Sequence, residues 1–573
     1  MRVVLLQCLR AIRQKCSSTH VYTMQEKFQK HFRADCRYKK NIVQLETSAL
    51  THVKCTLEHN YENCEKLLSE LTAEQFPLFL YLLNSRDVLF RIENISFWEQ
   101  VDIECWRRCK NMSPEDILKV LDGWMYCLPN RITQLLFYSR TLNRMKLWFT
   151  FKVLSVQQWV LCVFFIGLGK RNNTKLMRKA LMACHWQEIV NSLTLLDLCI
   201  VINAIYKTST RVQDLSLPVA VTQKFKNDLD NIILETDVFT TIIKFLRQAG
   251  YHDNHLMNNI IELIMSRQSV LSTMNFTAEV HLLAFYAEAR FYERDFISTL
   301  IGECLSNLVL HGTKTSFRSY LTEHPRPKDI TRFLWAVSYL GCDLDKRGLD
   351  EIIVPQIKQR MLHHEYRNQP EEVIGSLLYL WMLGARPVTL FEKMVTVDLM
   401  QRLKGKQRIR HNSRFCLLLS AVQIEGPNIV QTELLKEMNL LKIWKPKLEL
   451  HLQRREQLCN VLMAMKNLAG TLKLSRVKCE FSVPHIYIAG ITAEASDGTQ
   501  INVEVLDSTV CLHKSELPDG LMKFKLRLSE ALGYTNIVML ERNLDKIEGT
   551  ENFYSHVEDQ LRKVIECNKW ENL

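Results

Sequence analysis

Apolar residues recur along most of the chain with the spacing of amphipathic helices. Counting back from a short break, the positions −8, −7, −5 and −4 are apolar in one unit after another. In a helix of 3.6 residues per turn these offsets form one broad stripe. Three units carry the stripe Leu161, Cys162, Phe164 and Phe165; Ile242, Ile243, Phe245 and Leu246; and Phe333, Leu334, Ala336 and Val337. The pattern predicts a mainly α-helical chain with these side chains in its core.

A unit made of an apolar helix, a break and a second helix repeats along the chain. The breaks follow one another at intervals of 38 to 51 residues, most of them near 40. They stand at Cys127, Gly169, Lys207, Gly250, Arg290, Gly341 and Gly384. Such intervals imply two helices per unit, and each unit must stack on its neighbours to bury its stripe. We therefore predict an α-solenoid of degenerate helix pairs over residues 41–400.

The period changes near residue 476. The stretches 477–483, 485–495 and 499–506 are rich in β-branched residues, and Asp497-Gly498 suits a hairpin turn between the last two. Helical spacing returns over 521–532, a strand is predicted at 535–541, and a closing helix at 551–565. The sequence thus predicts a small α/β domain over 476–573, which follows a basic helical region over 401–475.

Composition supports the helical prediction and narrows the class of protein. The 573 residues include only 18 glycines and 13 prolines, and 47% of them are hydrophobic, which excludes a disordered chain. The longest apolar run covers 11 residues, 159–169, so no membrane span is expected. The 18 cysteines form no CxxC pair. We expect free or buried thiols in a reducing compartment, with no metal and no cofactor.

The net charge of +12 is unevenly distributed. It amounts to +8 over residues 1–40, zero over 41–400, +10 over 401–480 and −6 over 481–573. The first 25 residues contain four cations and no acidic residue, beside an apolar face and a Ser-Ser-Thr cluster. That composition predicts a mitochondrial transit peptide over about residues 1–25 and a location in the mitochondrial matrix. The alternative is an ordinary first helix of a cytosolic protein.

Two basic clusters in the 401–475 region are candidates for RNA contact. Five cations fall within nine residues at Arg402, Lys404, Lys406, Arg408 and Arg410. A second cluster places Trp444 among Lys442, Lys445 and Lys447. Cations neutralise phosphates and an indole can stack on a base, so both clusters suit single-stranded RNA. The alternative is a solvated helix face, with Trp444 buried against the next element.

The last 70 or so residues resemble the RAP domain that ends members of the FAST-kinase-domain family. The resemblance rests on INVEVLDSTVCL, MKFKLRLSEALGY and IVMLERNLDKI. The matching residues include Asp507, Lys525, Arg527, Leu532, Gly533, Tyr534, Ile537, Val538, Leu544, Asp545 and Lys546. Arg542-Asn543 stand where the family commonly has Trp-Glu. The order of presequence, helical repeats, helical region and terminal domain is also similar to that family.

This resemblance implies a mitochondrial RNA-binding protein that regulates the processing, stability or translation of organelle transcripts. It implies single-stranded mitochondrial RNA as the ligand, with protein partners in RNA granules or the mitoribosome. Kinase chemistry is not expected, because the chain has no Gly-rich phosphate loop followed by a strand lysine, no HRD-type loop and no DFG. We therefore expect a binding protein and not an enzyme.

Two alternatives remain open at the level of sequence. The RAP domain is similar to a restriction-endonuclease-like core, in which carboxylates hold catalytic metal ions. Glu494, Glu504 and Asp507 are the candidate acids for a metal-dependent ribonuclease. No Glu-x-Lys follows on the strand, Lys523 and Lys525 lie on the next helix, and a net charge of −6 repels RNA, which all disfavour it. The other alternative is a HEAT-like scaffold that binds only proteins.

Overall fold

The computed structural model describes residues 19–44, 51, 53, 64–83, 95–183, 189–267, 269–312, 325–404, 409–513 and 515–571. These residues are mainly helical, with one small mixed sheet near the C-terminal end. The chain divides into two compact units, unit 1 (1–263) and unit 2 (264–573). None of the helices in the described ranges has both the length and the apolarity needed to cross a bilayer.

Unit 1 is built from helices alone in its described parts. They are α1 (Thr19–Ala34), α2 (Cys64–Glu70), α3 (Gln75–Leu82), α4 (Ile95–Arg108), α5 (Pro114–Cys127), α6 (Leu136–Phe151), α7 (Val156–Leu168), α8 (Thr174–Met182), α9 (Leu195–Thr208), α10 (Ser216–Asn227), α11 (Leu229–Ile232), α12 (Thr236–Ala249) and α13 (Asn254–Ser266), in which the boundary between the units falls.

The helices that carry the apolar stripe pack in series in unit 1. Helix α5 contacts α7, α7 contacts α9, and α9 contacts α12. Capping boxes built on Ser113, Ser155 and Thr194 start the first three of them. At Gly167 the backbones of α7 and α9 approach closely, because a Cβ there would lie 2.8 Å from the Cβ of Ala204. This close approach brings the C-terminal ends of α7 and α9 together.

Helix α1 sets a limit on the predicted transit peptide. The helix begins at Thr19, and Met24, Phe28 and Phe32 are buried in the core of unit 1. The predicted boundary at about residue 25 falls inside α1 and stays a prediction. Residues 1–18, which carry Arg2, Arg10, Arg13 and Lys15, lie outside the described residues.

Unit 2 combines helices with the sheet. Its helices are α14 (Ser269–Ser272), α15 (Phe276–Ala289), α16 (Arg294–Gly312), α17 (Pro327–Tyr339), α18 (Val354–Leu362), α19 (Pro370–Met382), α20 (Val388–Met394), α21 (Val397–Lys404), α22 (Ile409–Glu425), α23 (Thr432–Met438), α24 (Leu448–Leu452), α25 (Glu456–Leu468), α26 (Gly520–Ala531), α27 (Glu541–Leu544) and α28 (Thr550–Glu571). Its strands are β1 (Ser475–Glu480), β2 (Gly490–Glu494), β3 (Gln500–Leu506) and β4 (Tyr534–Leu540).

The stripe-bearing helices of unit 2 also pack in series, in the order α15, α17, α19, α22 and α26. The first three are followed by residues in the left-handed region at Arg290, Gly341 and Gly384, with φ of 51°, 63° and 84°. These are three of the predicted breaks, and Gly250 ends α12 in the same way with φ of 65°. All twelve stripe side chains named above are buried, so these four helix ends and the three core faces are confirmed.

The sheet has the strand order β1-β2-β3-β4, antiparallel except for the parallel pair β3 and β4. The predicted hairpin between β2 and β3 is confirmed, with Gly498 at φ of 88°. One face of the sheet packs its apolar side chains against α25 and α28. Because Leu458, Val461 and Met465 of α25 belong to that core, we group α25 with the sheet. We use "α/β module" for residues 456–571.

Candidate nucleic-acid interface

The segment between α23 and α24 carries the second basic cluster. The side chains of Lys442, Trp444, Lys445 and Lys447 are all exposed, and Trp444 leaves 62% of its surface accessible. The segment is tied to α22 by Asn412, whose Nδ2 donates a hydrogen bond to the carbonyl of Lys442 at 2.9 Å. The indole is therefore accessible beside exposed cations, and contact of these residues with RNA stays a prediction.

Trp444 is supported by a chain of aromatic rings that the sequence did not reveal. Its ring lies 6.4 Å from that of Tyr487 at an interplanar angle of 82°. Tyr487 lies edge-to-face on Phe481 at 5.5 Å, and Phe481 on His451 at 5.4 Å. Edge-to-face contacts are a preferred geometry for aromatic pairs. Since the Tyr487 contact is nearly perpendicular, it leaves area on the indole open to a stacking base.

The electrostatics of this surface are positive. Within the described residues no ion pair or hydrogen bond involves the ammonium groups of Lys442, Lys445 or Lys447. Burial and then the charge of Lys445 lower the pKa of His485. Burial and two arginines likewise lower the pKa of His451. Both imidazoles are therefore neutral at pH 7, and the lysines supply the charge.

The first basic cluster is described only in part. Lys406 and Arg408 lie outside the described residues, as does the side chain of Lys404 at the end of α21. Arg402 donates a hydrogen bond to the carbonyl of Arg367 and lies 3.5 Å from Asp398. Arg402 is therefore engaged by its own unit, which weakens its prediction as a phosphate contact.

Arg410 keeps its charge available. It is exposed at the start of α22, and Arg414, one turn further on, lowers the pKa of its guanidinium by repulsion. Arg414 lies over the ring of Tyr379 in α19, with 5.7 Å from its Cζ to the centroid. Two cations that repel each other at a helix start form a site that a phosphate would stabilise.

Arg410 and the segment that carries Lys442 lie on opposite sides of α22. Residues two apart in a helix point about 200° from each other. Arg410 and Arg414 share the side that faces Tyr379, whereas Asn412 shares the side that holds Lys442. The sequence predicts one basic junction, whereas among the described residues Arg410 and the Lys442 segment form separate surfaces.

The three candidate nuclease acids do not form one site. Glu504 is fully buried in an ion pair with Lys525 of α26. Asp507 lies 2.6 Å from Arg455, and both are buried. Glu494 pairs with Arg476 at 3.1 Å near the surface, at the end of β2 that faces Gln500. It is four residues along the strands from Glu504, about 13 Å away.

Metal binding gains no support from these side chains. Within the ranges that the structure describes, no group of three or more His, Cys, Asp or Glu side chains is arranged to hold a metal ion. Each candidate acid has a cation of its own, and two of the three are closed off from solvent. The arrangement stabilises the α/β module instead of exposing carboxylates to RNA.

The residues that carry the family resemblance also have mainly structural positions. Arg527 donates hydrogen bonds to the carbonyls of Trp381 at 2.5 Å and Met382 at 3.1 Å, and to the buried carboxylate of Glu425 at 3.0 Å. Lys523 donates to the carbonyl of Gly341 at 2.6 Å. These cations satisfy the carbonyl ends of α17 and α19, so they fix α26 to the stacked helices of unit 2.

The other matching residues are at the turn and the end of the motif. Gly533 has a φ of 88° and ends α26 in the left-handed region. Tyr534 begins β4 and is half-buried. Asp545 accepts a hydrogen bond from Gln457 of α25, and Lys546 is exposed. In comparisons with known proteins, no protein-family model and no curated protein matches this chain.

Proposed function

We propose that this chain is a non-catalytic mitochondrial RNA-binding protein that acts on the processing, stability or translation of organelle transcripts. The observation that carries the proposal is the exposed indole of Trp444 beside three lysines whose ammonium groups have no partner among the residues that the structure describes. Proteins that bind single-stranded nucleic acid combine aromatic rings for the bases with cations for the backbone. Stacking of one base on such a ring contributes about 1–3 kcal/mol.

Arg410 and Arg414 provide a second contact for the same ligand. The repulsion between their charges, which lowers the pKa of Arg410, is relieved when a phosphate binds between them. Tyr379 beneath Arg414 is a further ring at this position. A strand that passes from Trp444 to these arginines crosses α22, because the two surfaces lie on opposite sides of that helix.

The family assignment and the architecture belong to the same proposal. The serial packing of the stripe-bearing helices within each unit supports segments of an α-solenoid. A mixed sheet between α25 and α28 on one face and α26 on the other supports a RAP domain with a restriction-endonuclease-like core. Buried Glu504 and Asp507 support a role for that domain in structure or docking, without catalysis.

Mitochondrial import is part of the proposal and has its own test. Cleavage after Met24 would remove a buried side chain from α1. We therefore expect processing before Thr19, where α1 begins. Import of the labelled precursor into isolated mitochondria, followed by sequencing of the mature N-terminus, checks both. A precursor that stays protease-sensitive outside mitochondria would contradict the location.

RNA binding is tested by titrating fluorescein-labelled single-stranded RNA with the purified full-length chain. Trp444→Ala is expected to weaken binding by about 5- to 150-fold, the equivalent of one stacked base. Joint replacement of Lys442, Lys445 and Lys447 by Ala is expected to make the slope of log K against log salt shallower by about 2, at about 0.7 per phosphate.

The matched control is Leu440→Ala, because Leu440 is 70% exposed in the same region and carries no ring or charge. It should bind RNA like the unaltered protein. Equal affinities for Trp444→Ala and Leu440→Ala would remove Trp444 from the site. Absence of RNA binding by the unaltered chain at low salt would overturn the proposed function as a whole.

A further inference from the structure

A small cleft in unit 1 lies between α7 and α9, on the side where both helices end. Phe164, Leu168 and Ile200 form apolar walls, and Asn203 and Lys207 line the same narrow space, which has room for about one water molecule and opens to solvent. Lys170 is the second residue after α7, has a left-handed φ of 52°, and begins a 3-10 turn, Lys170–Asn173, that packs against α9. The two lysines thus lie near the mouth of a largely apolar cleft, and Lys207 lines it.

Neither lysine has an anionic partner in the described part of the chain. The charged side chains on the neighbouring helix α8 and on the last two turns of α12 are positive as well. They are Lys175, Arg178 and Lys179 on α8, and Lys244 and Arg247 on α12. Burial and then Lys170 lower the pKa of Lys207 to about 8. The surroundings therefore disfavour the charged amine that an anion would stabilise.

The last carbonyls of α7 and α9 accept hydrogen bonds from groups other than these lysines. Lysines at a helix end commonly donate to the last carbonyls of the helix. Here uncharged side chains do so. The bonds run from Tyr138 Oη to Phe165 O at 2.8 Å, from Asn173 Nδ2 to Ile166 O at 2.9 Å, and from Thr174 Oγ1 to Thr208 O at 2.6 Å. Among the described residues, Lys170 and Lys207 therefore have no structural partner at these ends.

We propose that Lys170 and Lys207 form a binding site for a phosphate group in unit 1. The phosphate lies at the mouth of the cleft, where its oxygens accept hydrogen bonds from the two ammonium groups and from the amide of Asn203. The phosphate is either a phosphodiester of bound RNA or a free phosphate ion. In the first case the site rests on the proposed function, and in the second case it is independent of it.

Competitive lysine labelling of the full-length protein tests the site without any substitution. Trace acetylation with acetic anhydride over a pH series, read for each lysine by mass spectrometry, gives the titration midpoint of every amine. We expect Lys207 to label with a midpoint near pH 8. Inorganic phosphate should raise that midpoint by about one pH unit or more, since an opposite charge at 4–6 Å moves a pKa by about 1–3 units.

Controls keep this result specific. Chloride at equal ionic strength should leave the midpoint of Lys207 in place, and Lys175 on α8 should respond to neither salt. Lys170→Gln should reduce the effect of phosphate on Lys207, because one of the two donors is lost. A midpoint for Lys207 that phosphate and chloride move equally would overturn the site.

Single-stranded RNA separates the two sources of phosphate. If RNA protects Lys207 in the unaltered protein, and protection is lost in Trp444→Ala at RNA concentrations that this variant cannot bind, the phosphate belongs to RNA. If only inorganic phosphate protects Lys207, the site binds a free ion. If neither RNA nor inorganic phosphate protects Lys207, the phosphate site is refuted, even when the Trp444 surface binds RNA. If phosphate protects Lys207 in a chain that binds no RNA, the proposed function is refuted and the phosphate site is not.

Discussion

The buried ion pair between Glu504 of β3 and Lys525 of α26 gives the sharpest prediction about the α/β module. Both side chains have no exposed surface. Lys525→Met would leave the carboxylate of Glu504 buried with the amide of Asn502 as its remaining partner, at 3.0 Å. Breaking one side of a buried pair costs about 3–5 kcal/mol, because the charge left behind is neither solvated nor neutralised.

The surroundings leave little room for relaxation. A Cβ built on Gly490 would lie 2.3 Å from Oε1 of Glu504 and 2.8 Å from Nζ of Lys525. Burial also lowers the pKa of Lys525 despite the neighbouring carboxylate. Joint replacement of Glu504 and Lys525 by Met keeps a similar volume without buried charge. We expect the double variant to lose less than about 1 kcal/mol or to gain stability, so that the coupling energy is at least about 2 kcal/mol.

Hydrogen exchange measured by mass spectrometry along a urea series is the appropriate assay. It reports the opening free energy of peptides from β3 and α26 separately from the rest of a two-unit chain. The surface pair Arg476–Glu494 in the same sheet is the matched control, since Arg476 is 79% exposed. Its coupling should stay below about 1 kcal/mol. A buried pair that couples no more strongly than this control would refute the reasoning.

Two further predictions concern the attachment of α26. Arg527→Ala removes three hydrogen bonds to α19 and Glu425. Hydrogen exchange in α26 should become faster by the equivalent of about 2–3 kcal/mol of opening free energy. The exposed control Lys546→Ala should leave that exchange unchanged, and equal exchange in both variants would contradict the docking role. Burial raises the pKa of Asp519, which caps α26, from 3.8 to about 6, so the folded state binds the extra proton and stability falls as pH rises through 4–6. Asp519→Asn keeps a good cap, so in urea unfolding its free energy of unfolding should exceed that of the unaltered protein by up to about 3 kcal/mol at pH 8. Below pH 4 the two free energies should be equal. A difference that does not change with pH would show that Asp519 does not titrate in this way.

The sequence predicts the helix ends and core faces well because one local signal determines both. The stripe at Phe333 and Leu334 has to be buried, and a left-handed residue such as Gly341 has to follow it. The strands are predicted within a few residues for the same reason, since alternation is local. The packing of α25 on the sheet is not predicted, because α25 has the same helical period as the repeats. Its partner is the sheet, and the period of a helix does not encode its partner.

The candidate site is predicted in its residues and not in its geometry. The sequence shows Trp444 between lysines, but it does not determine whether the indole is buried in a core or exposed at the surface. The rings that support it, Tyr487 and Phe481, are distant along the chain and lie beyond α25. The separation of Arg410 from the Lys442 surface depends on where α22 begins. The sequence does not show that Asp507 is paired, because its partner, Arg455, is 52 residues away along the chain.

Helix α26 explains why the cations of the family motif are structural. Lys525 and Arg527 are two residues apart and therefore point about 200° from each other, as do Lys525 and Lys523. Lys525 faces the sheet and pairs with Glu504. Lys523 and Arg527 face the stacked helices and donate hydrogen bonds to the carbonyls at the ends of α17 and α19. Alternate cations on one helix thus fasten the sheet to the helical stack, and the RNA contacts that we propose lie outside α26.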